Sequence, residues 1–343
     1  MKKILINNFF SGYLHRGIPV YCDNLAFALN KLGYECVQLR MPRLWFKLPR
    51  GLINILFVLF EQFYVPLYAW FSRATVTIYP YNSIALLGAL SPKSVMVVHD
   101  FIPNKKTSFA ALYIRISQQF ACAFKRKVFF VSQAILRQAN IYNCFPACEK
   151  RVLLNGFYRF ESLIANTTAS DEKFILLCSG RGENKDFHGA LMLYLQSGLY
   201  DRLPLRVIGM SGDRSMLARP EFAAIQQHVT IYPQIADEDI VALYHSCSFV
   251  WAHSLNEGYG RTIAEGKLAG KLVIASDIAT FKEQRDEFVW LYRDGHDFKQ
   301  GLAAMERFLG QGFGDAFYSP RAPQEHHQIE SELNRLLKRG NGE

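Results

Sequence analysis

The sequence predicts an α/β protein built as two Rossmann-like domains facing each other across a cleft. Three observations point to it. Short apolar runs alternate with longer helical patterns along almost all of the 343 residues. The series starts afresh after a polar, small-residue stretch, Asn166-Thr167-Thr168-Ala169-Ser170-Asp171, which suits a linker. The length is too great for one compact core and fits two. The expected division is residues 1–165, residues 166–315 and a closing segment, 316–343.

Ile4–Phe10 reads as the first strand, reached straight from Met1-Lys2-Lys3. It lacks the long apolar stretch and cleavage site of a signal peptide, so the protein is expected to stay in the cytoplasm. Tyr21–Leu32 spaces apolar residues three and four apart and stops at Gly33, a residue suited to end a helix. Glu35–Leu39, Val76–Tyr79, Ser94–Val98 and Val128–Val131 continue the strands of the first half. Phe174–Cys178, Leu205–Ile208, Val229–Tyr232, Phe249–Trp251 and Leu272–Ala275 repeat the grammar in the second. Helical stretches between most of them imply parallel sheets with helices on both faces.

Leu52–Phe71 is twenty residues with few polar groups, a length that could span a bilayer. Glu61-Gln62 sits at its middle, and a carboxylate there costs roughly 2.5–3.5 kcal/mol on insertion. The preferred reading is a helix packed on the N-terminal sheet, with room for an exposed apolar flank. Upstream lie Arg40, Arg43, Trp45, Phe46, Lys47 and Arg50. Cations interleaved with aromatic rings suit an anionic membrane surface or an acceptor carried by it. A basic loop over a buried helix is the plainer alternative.

Charge is uneven. Residues 1–165 hold 20 Lys+Arg and 6 Asp+Glu, and the remainder holds 19 and 24, so the halves carry +14 and −5. A basic half suggests a face that meets anions. Seven scattered cysteines make a poor disulfide framework. Cys144 and Cys148 are four apart, but no cluster completes a zinc set.

The most informative stretch is His253-Ser254-Leu255-Asn256-Glu257-Gly258-Tyr259-Gly260-Arg261-Thr262-Ile263-Ala264-Glu265-Gly266. It follows a strand and opens a helix near Arg261. Its glycines let backbone N–H groups approach a ligand, and the helix N-terminus favours an anion or sugar oxygens. Glu257 and Glu265 are eight apart, about two helical turns, so both carboxylates can face one cleft. Carboxylates accept hydrogen bonds from paired sugar hydroxyls. A surface helix with ordinary glutamates is the bland alternative.

This segment resembles the Glu-x7-Glu signature of glycosyltransferase family 4. Ala269-Gly270-Lys271-Leu272-Val273-Ile274-Ala275-Ser276-Asp277 and Asp237-Glu238-Asp239-Ile240-Val241-Ala242-Leu243-Tyr244 resemble the flanking family segments. Ser179-Gly180-Arg181-Gly182-Glu183-Asn184-Lys185 resembles the run that holds the donor diphosphate, and Leu205-Arg206-Val207-Ile208-Gly209 a strand end. In the first half, Val98-His99-Asp100-Phe101-Ile102-Pro103, Val131-Ser132-Gln133 and Asn155-Gly156 match further landmarks in order. Departures include Tyr259 for Phe, His253 for Pro, Arg261-Thr262 for an apolar residue and Pro, and a short Arg181–Lys185 spacing. The N-terminal Gly-rich loop survives only as Gly12 and Gly17.

The resemblance implies the GT-B fold, with the final helix crossing back onto the N-terminal domain. It implies a retaining transferase that moves a hexose from a nucleotide diphosphate sugar. Arg181 and Lys185 would stabilise the departing phosphate. Glu265 would hold the ribose, and Glu257 would meet the donor sugar. Gly180, Asn256, Gly258, Tyr259, Gly260, Arg261, Thr262 and Gly17 would complete the donor site, and His99 would wall it. Asp237-Glu238-Asp239 reads better as a helix N-cap than as a metal motif. No metal or cofactor is therefore expected. His99-Asp100, Glu61-Gln62 and Pro66 resemble mannosyl- or deoxyhexosyltransferases that use GDP-sugars, and UDP-sugars stay open. The acceptor implied is a lipid-linked glycan or lipopolysaccharide-type glycan, met on the inner face of the cytoplasmic membrane, with no nucleic acid partner. The competing reading is a basic RNA-binding or scaffold protein without transferase activity.

Overall fold

The computed structural model describes residues 2–14, 17–101, 108–168, 172–310 and 325–338. The chain divides into two compact units. One is Met1–Gly156 together with Gln324–Glu343, and the other is Phe157–Pro323.

In the first unit the elements run β1 (Lys3–Asn7), α1 (Ile18–Lys31), β2 (Glu35–Leu39), α2 (Arg50–Leu59), α3 (Val65–Phe71) and β3 (Val76–Tyr79). They continue through α4 (Leu86–Leu90), β4 (Ser94–Val98), α5 (Phe109–Ala123), β5 (Lys127–Phe130), α6 (Gln133–Ile141) and β6 (Glu149–Val152). The strands form a parallel sheet ordered β2-β1-β3-β4-β5-β6. Ile4 lies opposite Cys36 on one side and Val76 on the other. The order reverses between β1 and β3. Helices cover both faces, so the central strands read as unbroken apolar runs such as Val95-Met96-Val97-Val98, all buried. Gly33 ends α1 with φ 81°, where Tyr34 N donates to Leu29 O at 3.1 Å.

The second unit runs α7 (Tyr158–Ile164), β7 (Ile175–Cys178), α8 (Phe187–Ser197), β8 (Leu205–Ile208), β9 (Val229–Ile231) and α9 (Asp237–Ser246). Then follow β10 (Phe249–Ala252), α10 (Arg261–Leu268), β11 (Val273–Ser276), α11 (Ala279–Lys282), β12 (Val289–Tyr292) and α12 (Gly295–Gly310). Its parallel sheet is ordered β12-β11-β10-β7-β8-β9, with the reversal between β7 and β10. Fully buried Trp251 anchors the core, with the Phe298 ring 4.6 Å away and its indole N–H donating to Tyr292 Oη at 3.0 Å. The last helix, α13 (Glu325–Lys338), belongs to the first unit. There Lys2 Nζ donates to Leu337 O at 2.6 Å, and Arg151 pairs with Glu332 at 3.3 Å.

Several expectations are corrected. The boundary falls after Gly156, not 165, because Tyr158, Phe160 and Ile164 make α7 an apolar helix of the second unit. Residues 169–171 of the expected linker, and 316–324 and 339–343 of the closing segment, lie outside the described residues. The first strand stops at Asn7, where the chain turns. Asp237 is not the N-cap of α9. Ala236 is, and the acids at 237–239 fill the first turn, where the helix dipole favours them. Strands β6 and β12 are additions to the expected set.

The apolar segment forms one helix, in which a π-helical turn, Phe60–Tyr64, joins α2 to α3. Ile53, Glu61 and Val65 are its buried residues.

Candidate functional site

Open parallel sheets bind ligands outside the carboxyl ends of their strands, where the strand order reverses. In the second unit that point is β7 and β10. The loops leaving them are the two predicted from sequence, Ser179–Asp186 and His253–Gly260.

They are joined by hydrogen bonds. Leu255 N donates to Asn184 O at 2.8 Å, and Asn184 Nδ2 donates to Asn256 O at 3.1 Å. Lys185 Nζ donates to Glu257 Oε1, which also accepts from Ser254 Oγ at 2.8 Å. The first loop curls tightly, so that a Cβ added to Gly180 would meet Lys185 Cγ at 3.6 Å. The pair 185–257 is partly buried, which strengthens it over a free surface pair. The structure thus brings together Gly180, Lys185, Asn256 and Glu257.

Arg181 turns the other way. It is 66% exposed and pairs with Asp213 at 3.4 Å, in the loop that leaves β8. Hydrogen bonds from Ser215 hold the Asp213 carboxyl below its usual range, with Arg181 contributing. A Cβ on Gly209 would lie 2.2 Å from Ser179 O, so the β7 and β8 ends abut.

The helical spacing argument for the two glutamates fails, because α10 starts only at Arg261 and Glu257 lies in the preceding loop. Glu265 is on the helix and only 2% exposed. Its Oε2 accepts from Tyr244 Oη at 2.7 Å and its Oε1 from Arg261 at 3.2 Å. Arg261 also lies 4.5 Å over the Phe157 ring. Gly260 caps α10 at φ 85° and brings no side chain to the cap. A Cβ there would sit 2.5 Å from the Phe281 ring, so this glycine is required by packing. Tyr259 is buried beside Phe157, also a packing role. Gly258 and Thr262 are half-buried at the start of this turn and helix.

Sequence reasoning missed the layer beneath. His253 Nε2 lies 3.4 Å from Asp186 Oδ2, and its Nδ1 meets Tyr292 Oη. Burial pushes His253 below the usual histidine range, with Asp186 opposing. Asp186 adopts φ 39° and caps α8 by accepting from Gly189 N at 3.1 Å. Ser254 N donates to Ser276 Oγ at 3.1 Å. Asp213 and Asp186 stand alone in sequence, but His253 in place of proline was a visible signal.

Gly17 and His99 belong to the first unit. Gly17 precedes α1 at φ 77° with open space around its Cβ position. Residues 15 and 16 of that loop, and Ile102-Pro103 of the expected motif, lie outside the described residues. His99 follows β4. Its ring packs edge-on to Tyr21 at 4.8 Å, Pro80 accepts a ring hydrogen bond, and Nε2 is buried without a partner. Burial lowers its pKa to about 3, so the imidazole is neutral.

The basic segment is divided. Arg40 pairs with Asp23 at 3.0 Å, and Arg43 packs on Gly12. Phe46 turns inward, stacked on Tyr13 at 4.7 Å and edge-on to Phe9, so it is not part of an outward surface. Trp45, Lys47 and Arg50 are exposed, as are Arg40 and Arg43 beside their partners. Among the described residues, no group of three or more His, Cys, Asp or Glu is placed to hold a metal ion.

Residues 160–310 match the family model described as glycosyl transferases group 1. No curated protein matches the sequence. Similar solved structures include sucrose-phosphate synthase from Thermosynechococcus elongatus, at TM-score 0.70 and 13% identity over 99% of both chains. HepE from Anabaena, in complex with UDP, aligns at TM-score 0.62 and 15% identity over 99% of this chain and 100% of that one. WaaG, a glycosyltransferase involved in lipopolysaccharide biosynthesis, aligns at TM-score 0.62 and 13% identity over all of both chains. At these identities the structural likeness shows the GT-B fold.

Proposed function

We propose that this chain, whose residues 160–310 match the group 1 glycosyltransferases, transfers a hexose from a nucleotide diphosphate sugar with retention of configuration. The observation that carries the reading is the Lys185–Glu257–Ser254 cluster at the β7/β10 reversal. It sets a cation and a hydroxyl-binding carboxylate side by side where this fold takes its ligand.

In the proposed reaction the anomeric carbon–oxygen bond to the diphosphate breaks while the acceptor oxygen bonds to the same face. The acceptor proton passes to the departing phosphate oxygen, so no separate carboxylate base is needed. Lys185 leaves Glu257 for the phosphate as negative charge develops there, and Arg181 swings from Asp213 to join it. Glu257 is freed for the sugar hydroxyls. Glu265, fixed by Tyr244 and Arg261, holds the ribose. The resemblance assigns the imidazole of His99, kept neutral by burial, to a donor hydroxyl. These cations supply the charge that a metal would otherwise bring, so the reaction is proposed to be metal-independent.

A GDP-hexose, mannose or a deoxyhexose, is the favoured donor on the His99-Asp100 resemblance. The acceptor is a lipid-linked or lipopolysaccharide-type glycan met at the cytoplasmic membrane surface. WaaG's involvement in lipopolysaccharide biosynthesis and the exposed Trp45, Lys47 and Arg50 support that choice. Incubation with radiolabelled GDP-mannose, GDP-fucose, UDP-glucose or UDP-N-acetylglucosamine and a bacterial lipid extract tests it. Label should enter the glycolipid fraction from a GDP-sugar, and label entering from none of them would end the reading.

A further inference from the structure

The first unit presents an outer face that its own core does not use. Between positions 51 and 71 the one charged side chain is Glu61, and it points inward. The outward stripe is Leu52, Ile55, Leu59, Phe63, Leu67 and Trp70, spaced three or four apart and exposed throughout. A surface helix normally turns charge to solvent, and this one inverts the pattern. Its most apolar eighteen-residue window is only 17% buried. The apolar field continues onto α4 and α5 through Leu87, Leu90, Phe109 and Leu112. Of the 24 exposed large hydrophobic side chains among the described residues, 17 fall between positions 44 and 116. Between the helices opens a groove of about 440 Å³, lined by Val58, Phe63, Leu86, Leu87, Tyr113 and Ile116 among others. Scattered surface leucines need no explanation, but a contiguous field does.

The ends of the ridge indicate what covers it. Lys47 and Arg50 stand exposed at one end beside Trp45. Arg73 stands exposed at the other, beside Trp70 at 76% and Phe71 at 81% exposure. Cations and indoles flanking a charge-free ridge complement a bilayer interface, with rings at headgroup depth and charges on anionic lipid. The helix is long enough to span a membrane, but it is tied down. Glu61 accepts hydrogen bonds from Asn7 at 2.8 Å, Ser83 at 2.6 Å and Tyr113 at 2.7 Å. Ile53 and Val65 are buried on either side of it. Spanning would break all of these and carry a carboxylate to the bilayer centre.

We propose that this face docks on an anionic lipid bilayer, with the helix Arg50–Phe71 lying in the interfacial plane and the groove filled by a hydrocarbon chain from that bilayer. This rests on the membrane-surface part of the function proposed above and is independent of the donor. The test is sedimentation of the full chain with phosphatidylcholine vesicles, with and without phosphatidylglycerol. The wild type should pellet with the anionic vesicles, and alkaline carbonate should release it. Leu59→Glu/Phe63→Glu, and separately Trp70→Glu, should each weaken partition by at least about tenfold. Both variants should melt with the same shift on adding UDP or GDP as the wild type does. A wild type that shows no nucleotide shift but binds vesicles as stated leaves this proposal standing and removes the donor reading. The proposal is overturned if the wild type stays in the supernatant with both vesicles. Variants that bind undiminished, or a wild type that resists carbonate as a spanning protein would, also overturn it. So does a dimer in solution that the variants dissociate without vesicle binding in either form.

Discussion

Replacing Glu61 with Gln should make the first unit more stable at alkaline pH and leave it nearly unchanged in mild acid. The carboxyl is wholly enclosed, and burial raises its pKa from 4.5 to about 7 despite the hydrogen bonds from Ser83, Tyr113 and Asn7. A carboxyl with a native pKa above its unfolded one binds its proton more tightly when folded. Its contribution is therefore complete below about pH 4.5, falls as pH rises from there to about 7, and is level above. At 1.36 kcal/mol per pH unit, the loss by pH 8 is roughly 3 kcal/mol. The amide has no such loss. Its oxygen can keep Ser83 and Tyr113, while its N–H faces Asn7, whose Oδ1 is buried without a partner. Turning the Asn7 amide over gives that N–H an acceptor and places the Asn7 NH2 where Oδ1 had no partner, so one unpaired buried group is exchanged for another. Hydrogen exchange of the β1 and β3 amides reads this unit without the other, which matters because a two-unit chain need not unfold in one step. Protection in Glu61→Gln relative to wild type should rise by roughly 2.5 kcal/mol between pH 5 and pH 8, most of it between pH 5 and 7 and levelling off above that. A difference independent of pH, or a variant destabilised at both, would refute the reasoning.

Gly260→Ala should destabilise the second unit by roughly 2–4 kcal/mol, seen as an earlier melting transition, because its Cβ meets Phe281 at 2.5 Å and its φ is 85°. An unchanged transition would contradict the packing role. Arg181→Ala and Glu265→Gln should each abolish most transfer while circular dichroism stays native, because Arg181 is exposed and the glutamine keeps an acceptor for Tyr244. Wild-type rates in both would remove the site. Transfer should continue at full rate in EDTA, and loss restored by manganese would defeat the metal-independent reading.

Both sheets were legible because their central strands are buried on two faces and read as apolar runs, as at Ile4-Leu5-Ile6 and Val250-Trp251. Edge strand β6 was not, since Glu149-Lys150-Arg151 is a run of charges and only Val152 of the strand is buried. The domain boundary was misplaced because small polar residues mark flexible backbone, whereas which unit owns α7 depends on what Tyr158 and Phe160 pack against. Lys185 and Glu257 were named from sequence 72 positions apart, yet their direct pairing could not be read from either loop. Partners such as Asp213 and Asp186 have no local pattern, and the fold alone brings them in. Phe46 misled for a related reason: a ring beside cations looks interfacial until Phe9 and Tyr13 claim it. Glu61 was read as an argument against spanning, but its pocket of three donors lies on three other elements and loops.

The central claim is that the β7 and β10 loops receive the diphosphate of a sugar nucleotide through Lys185. Titration calorimetry with UDP and GDP, on the wild type and Lys185→Ala, tests it most directly. One nucleotide should bind the wild type, with affinity falling about ten- to a hundredfold in the variant, as loss of a charge-assisted hydrogen bond requires. Binding of neither nucleotide, or equal affinity in both proteins, would contradict it.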